Sequence, residues 1–405
     1  MIRRAAGTPA LAAAAIVLLA LTLRIAVASL SPLLTVIERD FPLPAAIVGL
    51  IGMAPPVAFA ISGFVTPAIE RRMGLERLVL LAAVVAAVML GMRAVAVDAI
   101  TLLAATAGIF AAVGVANVLL PAVVKKYFPA RIGLMTTIYT TTMAVATFMP
   151  PLVAVPLAEG VGWRGSFALW AAVALAAVVP WVAMSLRARA ARADIIEQPK
   201  TSVLSRVVRV PQTWALAATF GVNSSVAYGL FAWLPPLVMG VAGVDAAEAG
   251  GLLALFSFMG LPVSLVVPLL VVRARSVAPF YIVAVVGGLA GVAGLLFAPA
   301  AATTLWVVLI GIPPLMFPMA LVLFGLRTRS HDTAVALSGF VQSVGYGIAA
   351  LMPLAIGVTH EVTGGWTAGL IVLGVVIACV IPAGIVVSRG ETIEEAWERR
   401  NGTAW

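Results

Sequence analysis

The side chain in this chain most able to do chemistry is an arginine set among apolar residues. Arg24 lies in LLALTLRIAVASLSPLL (18–34), and from Pro9 to Ile37 no other residue is charged. A guanidinium at the centre of a membrane helix costs about 2.5–3.5 kcal/mol on insertion scales. Its planar fork offers two parallel N–H donors, a geometry suited to small planar anions. With the span read as 10–37, Arg24 sits roughly 20 Å of helix from either side at 1.5 Å per residue. That is too far for its stem to carry the charge out to water. Two readings stay open: a cavity-facing guanidinium that binds an anionic or strongly polar substrate, and a structural arginine bonded to backbone carbonyls or to Asn and Tyr side chains.

Other polar residues fall at membrane depth and are candidates to line the same cavity: Asn117, Tyr139 within the threonine run Thr136–Thr142, Asn223 with Ser224, Tyr228, Gln342 with Ser343, and Tyr346. Gln342 and Tyr346 are four residues apart and share a helix face. Asn223 and Tyr228 are five apart, about 140° around the helix, and need not point the same way. For Asn223 and Gln342, substrate contact and interhelical hydrogen bonding are equally open, since membrane helices use such side chains for both. Arg93, near the outer end of its span, is either a snorkelling residue or a second basic site. Glu70, Arg71 and Arg72 stand where a gate between two spans could be held.

The acids and histidines exclude other chemistries. All 16 carboxylates lie at or beyond the ends of apolar runs, and both histidines, His331 and His360, fall at span ends. A proton relay through buried carboxylates is therefore not expected, and a buried acid would overturn that expectation. No clustered His, Asp or Cys constellation stands at membrane depth, so an enzyme, a cofactor and a bound metal are not expected. The single cysteine, Cys379, can form no intramolecular disulfide and reads as a packing residue.

What must position these residues follows from composition. The chain has 405 residues, 63% of them hydrophobic and 10% charged, against a globular average of about 25% charged. This is a polytopic all-α membrane protein. The net charge of +9 comes from short clusters between apolar runs, so topology explains it better than nucleic acid does. Runs of about 20 apolar residues suffice to cross. They place spans at 10–37, 44–69, 76–97, 99–123, 132–158 and 163–187, then 211–239, 247–271, 277–298, 302–326, 333–358 and 367–388. The first is too long, and lacks the small-residue cleavage site, to be a removed signal peptide.

Arginine and lysine concentrate in one set of loops: Arg3/Arg4, ERRMGLER (70–77), KKYFPAR (125–131), segment 188–210, RARS (273–276), RTRSHD (327–332) and the tail. The opposite loops carry only Arg39 and Arg164. The basic side of such a protein faces the cytosol. Both termini are accordingly expected to be cytoplasmic, in a bacterial inner (plasma) membrane. The organisation expected is a six-helix half over 1–187, a cytoplasmic linker over 188–210, a second six-helix half over 211–390 and a cytoplasmic tail over 391–405. The halves echo each other. Pro32 and Pro235, Met149-Pro150 and Met352-Pro353, and Gly162-Trp163 and Gly365-Trp366 each recur 203 positions apart. Two repeats related by an axis along the membrane normal are a transporter plan.

Several stretches carry a family resemblance. GVANVLLPAVVKKYFPARIGLMTTIYT (114–140), ALSGFVQSVGYGIAALMPLAIGVTHEVTGGW (336–366), LRIAVASLSPLL (23–34) and GMRAVA (91–96) resemble the cyanate and 2-nitroimidazole permease branch of the major facilitator superfamily. The resemblance covers essentially the whole chain. It implies twelve transmembrane helices in two pseudo-symmetric halves and alternating access. The implied substrate is small, cyanate-like or nitroimidazole-like, and membrane lipid is the surrounding partner. The chain departs from the superfamily pattern in PAIERRMGLER (67–77), where Arg71 stands in place of the usual gate aspartate and Glu70 is the substitute ion-pair partner. A monomer is expected. The rival reading is a multidrug or metabolite efflux permease driven by a proton gradient, which would want a carboxylate in its cavity.

Overall fold

Helices account for almost all of the fold, because a backbone in hydrocarbon must satisfy its own polar groups. The structure, a computed structural model, describes residues 9–30, 33–192 and 203–405. Arg3, Arg4, Pro32 and the linker charges Asp194, Glu197 and Lys200 lie outside the described residues. No strand occurs among those described. Among the described residues, eleven helical stretches are long and apolar enough to cross a membrane. The 29-residue helix Ala45–Met73, about 43 Å long at 1.5 Å per residue, makes the twelfth. The fold is the expected twelve-span all-α architecture.

The chain forms two compact units. One comprises Met1–Leu204 with His331–Gly339, the other Ser205–Ser330 with Phe340–Trp405. In the first unit the spans are Pro9–Ala28, Ala45–Met73, Leu75–Ala94 and Ala99–Tyr127, followed by a helical stretch, Ile132–Arg192, that holds the fifth and sixth. Gly162 interrupts that stretch at φ 75°, a left-handed conformation that glycine adopts without a Cβ penalty. The first helix packs along the fifth–sixth stretch, as does the third, while the second lies against the fourth. Buried Leu33, Ile37, Phe41, Trp163, Phe167 and Trp170 close one end of this unit.

The first span differs from its expected form. Its helix stops at Ala28, and a four-residue helix, Leu34–Ile37, follows after a break. The sequence has a proline at position 32, which lacks the N–H a continuing helix would need. Arg24 is therefore not central in a long helix. It lies four residues from the end of a 20-residue one.

The second unit holds Pro211–Ala242, Ala246–Arg273, Ala278–Phe297, a tenth span broken into Thr303–Ile310 and Met316–Leu326, the body of His331–Thr363, and a twelfth span in two pieces, Thr367–Ala378 and Ile381–Val387. The tenth breaks at Pro313–Leu315, a 3₁₀ turn, where two prolines remove consecutive donors. The seventh and eleventh spans approach closely at Gly345. A Cβ there would stand 2.6 Å from the Phe220 ring and 3.1 Å from the Gly221 nitrogen. The glycine–tryptophan repeat survives with a one-residue slip. The left-handed glycine directly precedes Trp163 in one unit, but is Gly364, two residues before Trp366, in the other.

Candidate substrate site

Two arginines of the first unit stand near the end of the first helix, one carried on it and one bonded to its backbone. Arg24 is half-buried near the end of the first helix. Arg93, in the last turn of the third, is 0% exposed. Of the two readings open for Arg93, snorkelling does not occur, because neighbouring helices enclose it before it can reach an aqueous surface. Its Nη1 donates to the Ala26 carbonyl at 3.0 Å and its Nη2 to Thr106 Oγ1 at 3.2 Å. Thr106 in turn donates to the Leu102 carbonyl at 2.6 Å. The guanidinium also stands 5.4 Å from the centroid of the Phe167 ring, within cation–π range. Arg93 thus ties the first, third, fourth and sixth spans together. Among the described residues no carboxylate pairs with it. Asn117 and Tyr139, on the fourth and fifth spans, are buried at 6% and 1% exposure.

Further toward the same end, Asp40 accepts from the Trp163 indole at 2.9 Å and pairs with Arg164. Arg164 also donates to the Ala96 carbonyl at 3.2 Å. The Arg164 guanidinium, with the indole N–H, holds the Asp40 carboxyl below the usual carboxylate range. Arg164, one of the two basic residues on this set of loops, is therefore engaged with an acid.

In the second unit the sequence candidates divide. Tyr228 and Tyr346 come together edge to face, with centroids 6.3 Å apart, and Phe220 meets Tyr346 at 5.0 Å. The seventh and eleventh spans thereby present a shared aromatic cluster. Asn223 has a different partner. With its amide oriented to satisfy both ends, it donates to the Pro314 carbonyl at 3.2 Å and accepts from Ser224 N–H at 3.1 Å. One of its hydrogen bonds thus goes to the break in the tenth span. Gln342 is 2% exposed, on the same face as Tyr346. Tyr281 was not a sequence candidate; its hydroxyl lies 2.7 Å from Thr219 Oγ1. The signal available for it was a lone tyrosine in an otherwise apolar ninth span.

The acids overturn one expectation. Glu70, Glu76 and Glu394 are buried, at 1%, 2% and 1% exposure. They stand near helix ends, as the sequence placed them, but those ends are packed inside protein. The premise against a carboxylate relay therefore fails. Glu76 receives Lys126 Nζ at 2.5 Å and the Tyr127 hydroxyl at 2.7 Å. This group was missed although Lys125-Lys126 and Glu76 share the basic-loop side. Glu70 has His331 and Asp332 beside it, their ligand atoms all within 4.8 Å of one another, and His331 Nε2 lies 2.8 Å from Asp332 Oδ1. Arg71 and Arg72 are exposed. Of the three gate candidates, only Glu70 is built into the packed structure.

Comparison with known proteins agrees with this architecture. The profile of the Major Facilitator Superfamily matches residues 16–350. The chain is 30% identical over 396 residues to the uncharacterized transporter YycB of Bacillus subtilis, covering 95% of each chain. It is 32% identical over 379 residues to the 2-nitroimidazole transporter of Escherichia coli, covering 91% of this chain and 93% of that one. With the cyanate transport protein CynX of Escherichia coli it shares 26% identity over 261 residues, 63% of this chain and 65% of that one. Among solved structures, the proton:xylose symporter XylE superposes with a TM-score of 0.74 over 96% of this chain and 98% of that one, at 12% identity.

Proposed function

The chain belongs to the major facilitator superfamily, in the branch of its 2-nitroimidazole and cyanate relatives, and we propose that it moves a small anion or polar heteroaromatic of that kind across the bacterial inner membrane by alternating access. Arg24 is the anchor for the substrate. The observation that carries this is a half-buried guanidinium on a helix whose other residues from Pro9 to Ala28 are uncharged. A charge in a span is retained where it meets a cavity or a polar partner. A guanidinium fork at the end of a broken helix can give two N–H groups to a cyanate-like anion, or to the nitro oxygens and ring nitrogen of a nitroimidazole. In the same unit as Arg24, Tyr139 offers an aromatic face and Asn117 a neutral donor. The guanidinium charge favours an anionic or polar ligand and repels a lipophilic cation. In this reading the six-helix halves run over 1–187 and 211–390, and both termini face the cytoplasm.

The test is uptake of labelled 2-nitroimidazole and cyanate into proteoliposomes by wild type, Arg24→Lys and Arg24→Ala. Uptake is expected in wild type, weakened in Arg24→Lys and lost in Arg24→Ala, with all three eluting alike on size exclusion. Unchanged uptake by folded Arg24→Ala would overturn the role given to Arg24. No uptake of either compound by wild type would overturn the substrate class.

A further inference from the structure

We propose that Arg93 is a positioning residue for Arg24: it holds the carbonyl end of the first helix, and through it the direction in which the Arg24 side chain leaves the helix. A helix leaves its last four carbonyls without intrahelical donors. For a helix ending at Ala28 these belong to residues 25–28, one turn beyond Arg24. Ser29 N–H closes onto Ile25 at 3.0 Å. The Ala26 carbonyl receives Arg93 Nη1 at 3.0 Å. Proline at 32 has no N–H for the carbonyl of 28. A side chain from the third span thus supplies a donor where the helix runs out of its own.

The bond is well made for this purpose. A charged donor gives a hydrogen bond roughly twice as strong as a neutral pair, and the low local dielectric of a dry surround strengthens it further. Arg93 is fully buried, and Ile25 and Ala94, next in sequence to Ala26 and Arg93, belong to one buried apolar cluster with Leu102 and Phe167. The rest of the guanidinium is fixed from two other directions, by Thr106 at 3.2 Å and by the Phe167 ring. Arg93 is therefore clamped to the fourth and sixth spans while it grips the first. Lysine, a single flexible ammonium without the fork, cannot reproduce this three-way geometry. The cation is kept at 0% exposure with no carboxylate paired to it among the described residues, because its partners are carbonyl, hydroxyl and ring on elements that must be held in register.

Its effect on transport rests on the reading of Arg24 as the substrate anchor; its effect on the helix end does not, and the experiment separates the two. With the single native cysteine removed (Cys379→Ser), Arg24→Cys provides a thiol whose reaction rate with a methanethiosulfonate reagent reports the position of residue 24. Adding Arg93→Gln is expected to change that rate several-fold, while a control thiol at Leu18 is unaffected and the protein still elutes as a folded species. Arg93→Lys should restore it only in part. In the Arg24 background, Arg93→Gln should raise KM for 2-nitroimidazole roughly tenfold, with the maximal rate largely kept, as displacing a binding group does.

If Arg93→Gln does not fold, Thr106→Val removes one clamp and keeps the charge. It should shift the reactivity of the thiol at position 24 in the same direction by less. Unaltered reactivity of that thiol in folded Arg93→Gln, or in Thr106→Val where that variant must stand in, would overturn the positioning role. Altered reactivity together with uptake indifferent to Arg24→Ala would leave the positioning of the helix end standing and remove Arg24 as the anchor.

Discussion

Polar side chains within these spans have two uses, to meet a ligand or to satisfy backbone that a proline or a helix end has left open. Asn223 and Arg93 do the second. Asn223 serves the Pro314 carbonyl and Arg93 the Ala26 carbonyl. Residue type and spacing cannot distinguish the two uses, because both need donors at membrane depth. What distinguishes them is the proline or helix end on a neighbouring span. The consequence for Asn223 is measurable. Asn223→Ala should lower stability in detergent by about 0.6–1.7 kcal/mol, the range for interhelical hydrogen bonds in membrane proteins, read from reversible unfolding in denaturing detergent mixtures. KM for 2-nitroimidazole should not move. A large rise in KM with unchanged stability would instead make Asn223 a ligand.

The C-terminal segment shows how an element gains structure from charges that read locally as a solvated tail. Ile393–Asn401 forms a helix whose start is closed by a capping box between Thr392 and Glu395. Arg329 binds Glu398 through two parallel hydrogen bonds, at 2.8 and 3.0 Å, and its own N–H goes to buried Glu394 at 2.9 Å. Ile393 N–H reaches the Arg327 carbonyl at 2.8 Å, and Arg400 the Arg209 carbonyl at 2.9 Å. The tail helix is thereby strapped to the segment before the eleventh span and to the start of the seventh. Hydrogen bonding from Arg329 holds Glu398 below the ordinary glutamate value of 4.5. The Thr392 N–H does the same for Glu395. A depressed native pKa means that their contribution is fully present above about pH 4.5 and is lost as pH falls through the lower native values. Hydrogen exchange of residues 391–405, corrected for intrinsic rates, should therefore be slow at neutral pH and accelerate below about pH 4.5. Arg329→Gln should accelerate it already at neutral pH. Exchange that is fast in wild type at every pH would show that the strap does not hold.

At the scale of the whole molecule, hydropathy made the spans legible, because about 20 apolar residues in a row leave a chain few alternatives. The depth of Arg24 was legible only in part. The apolar run continues to Ile37, and the effect of one proline on the helix end outweighed the continuity of the composition. The burial of Arg93 and of Glu76 was not legible at all. It depends on Phe167, Leu102, Lys126 and Tyr127, which come from other spans, and a single sequence carries no record of which helix lies beside which. Topology, by contrast, is written in the loops themselves. On one side only Arg39 and Arg164 are basic, and Arg164 is paired with Asp40. The opposite loops carry the KKYFPAR, RARS and RTRSHD clusters. Lysine and arginine near span ends are held back from translocation, so the prediction is that the clustered side is cytoplasmic. A green fluorescent protein fused after Trp405 should fluoresce in a bacterial host, and alkaline phosphatase fused after Asp245, between the seventh and eighth spans, should be active. The reverse pattern would place the basic clusters outside, and with them Glu76–Lys126 and the Glu70–His331–Asp332 group.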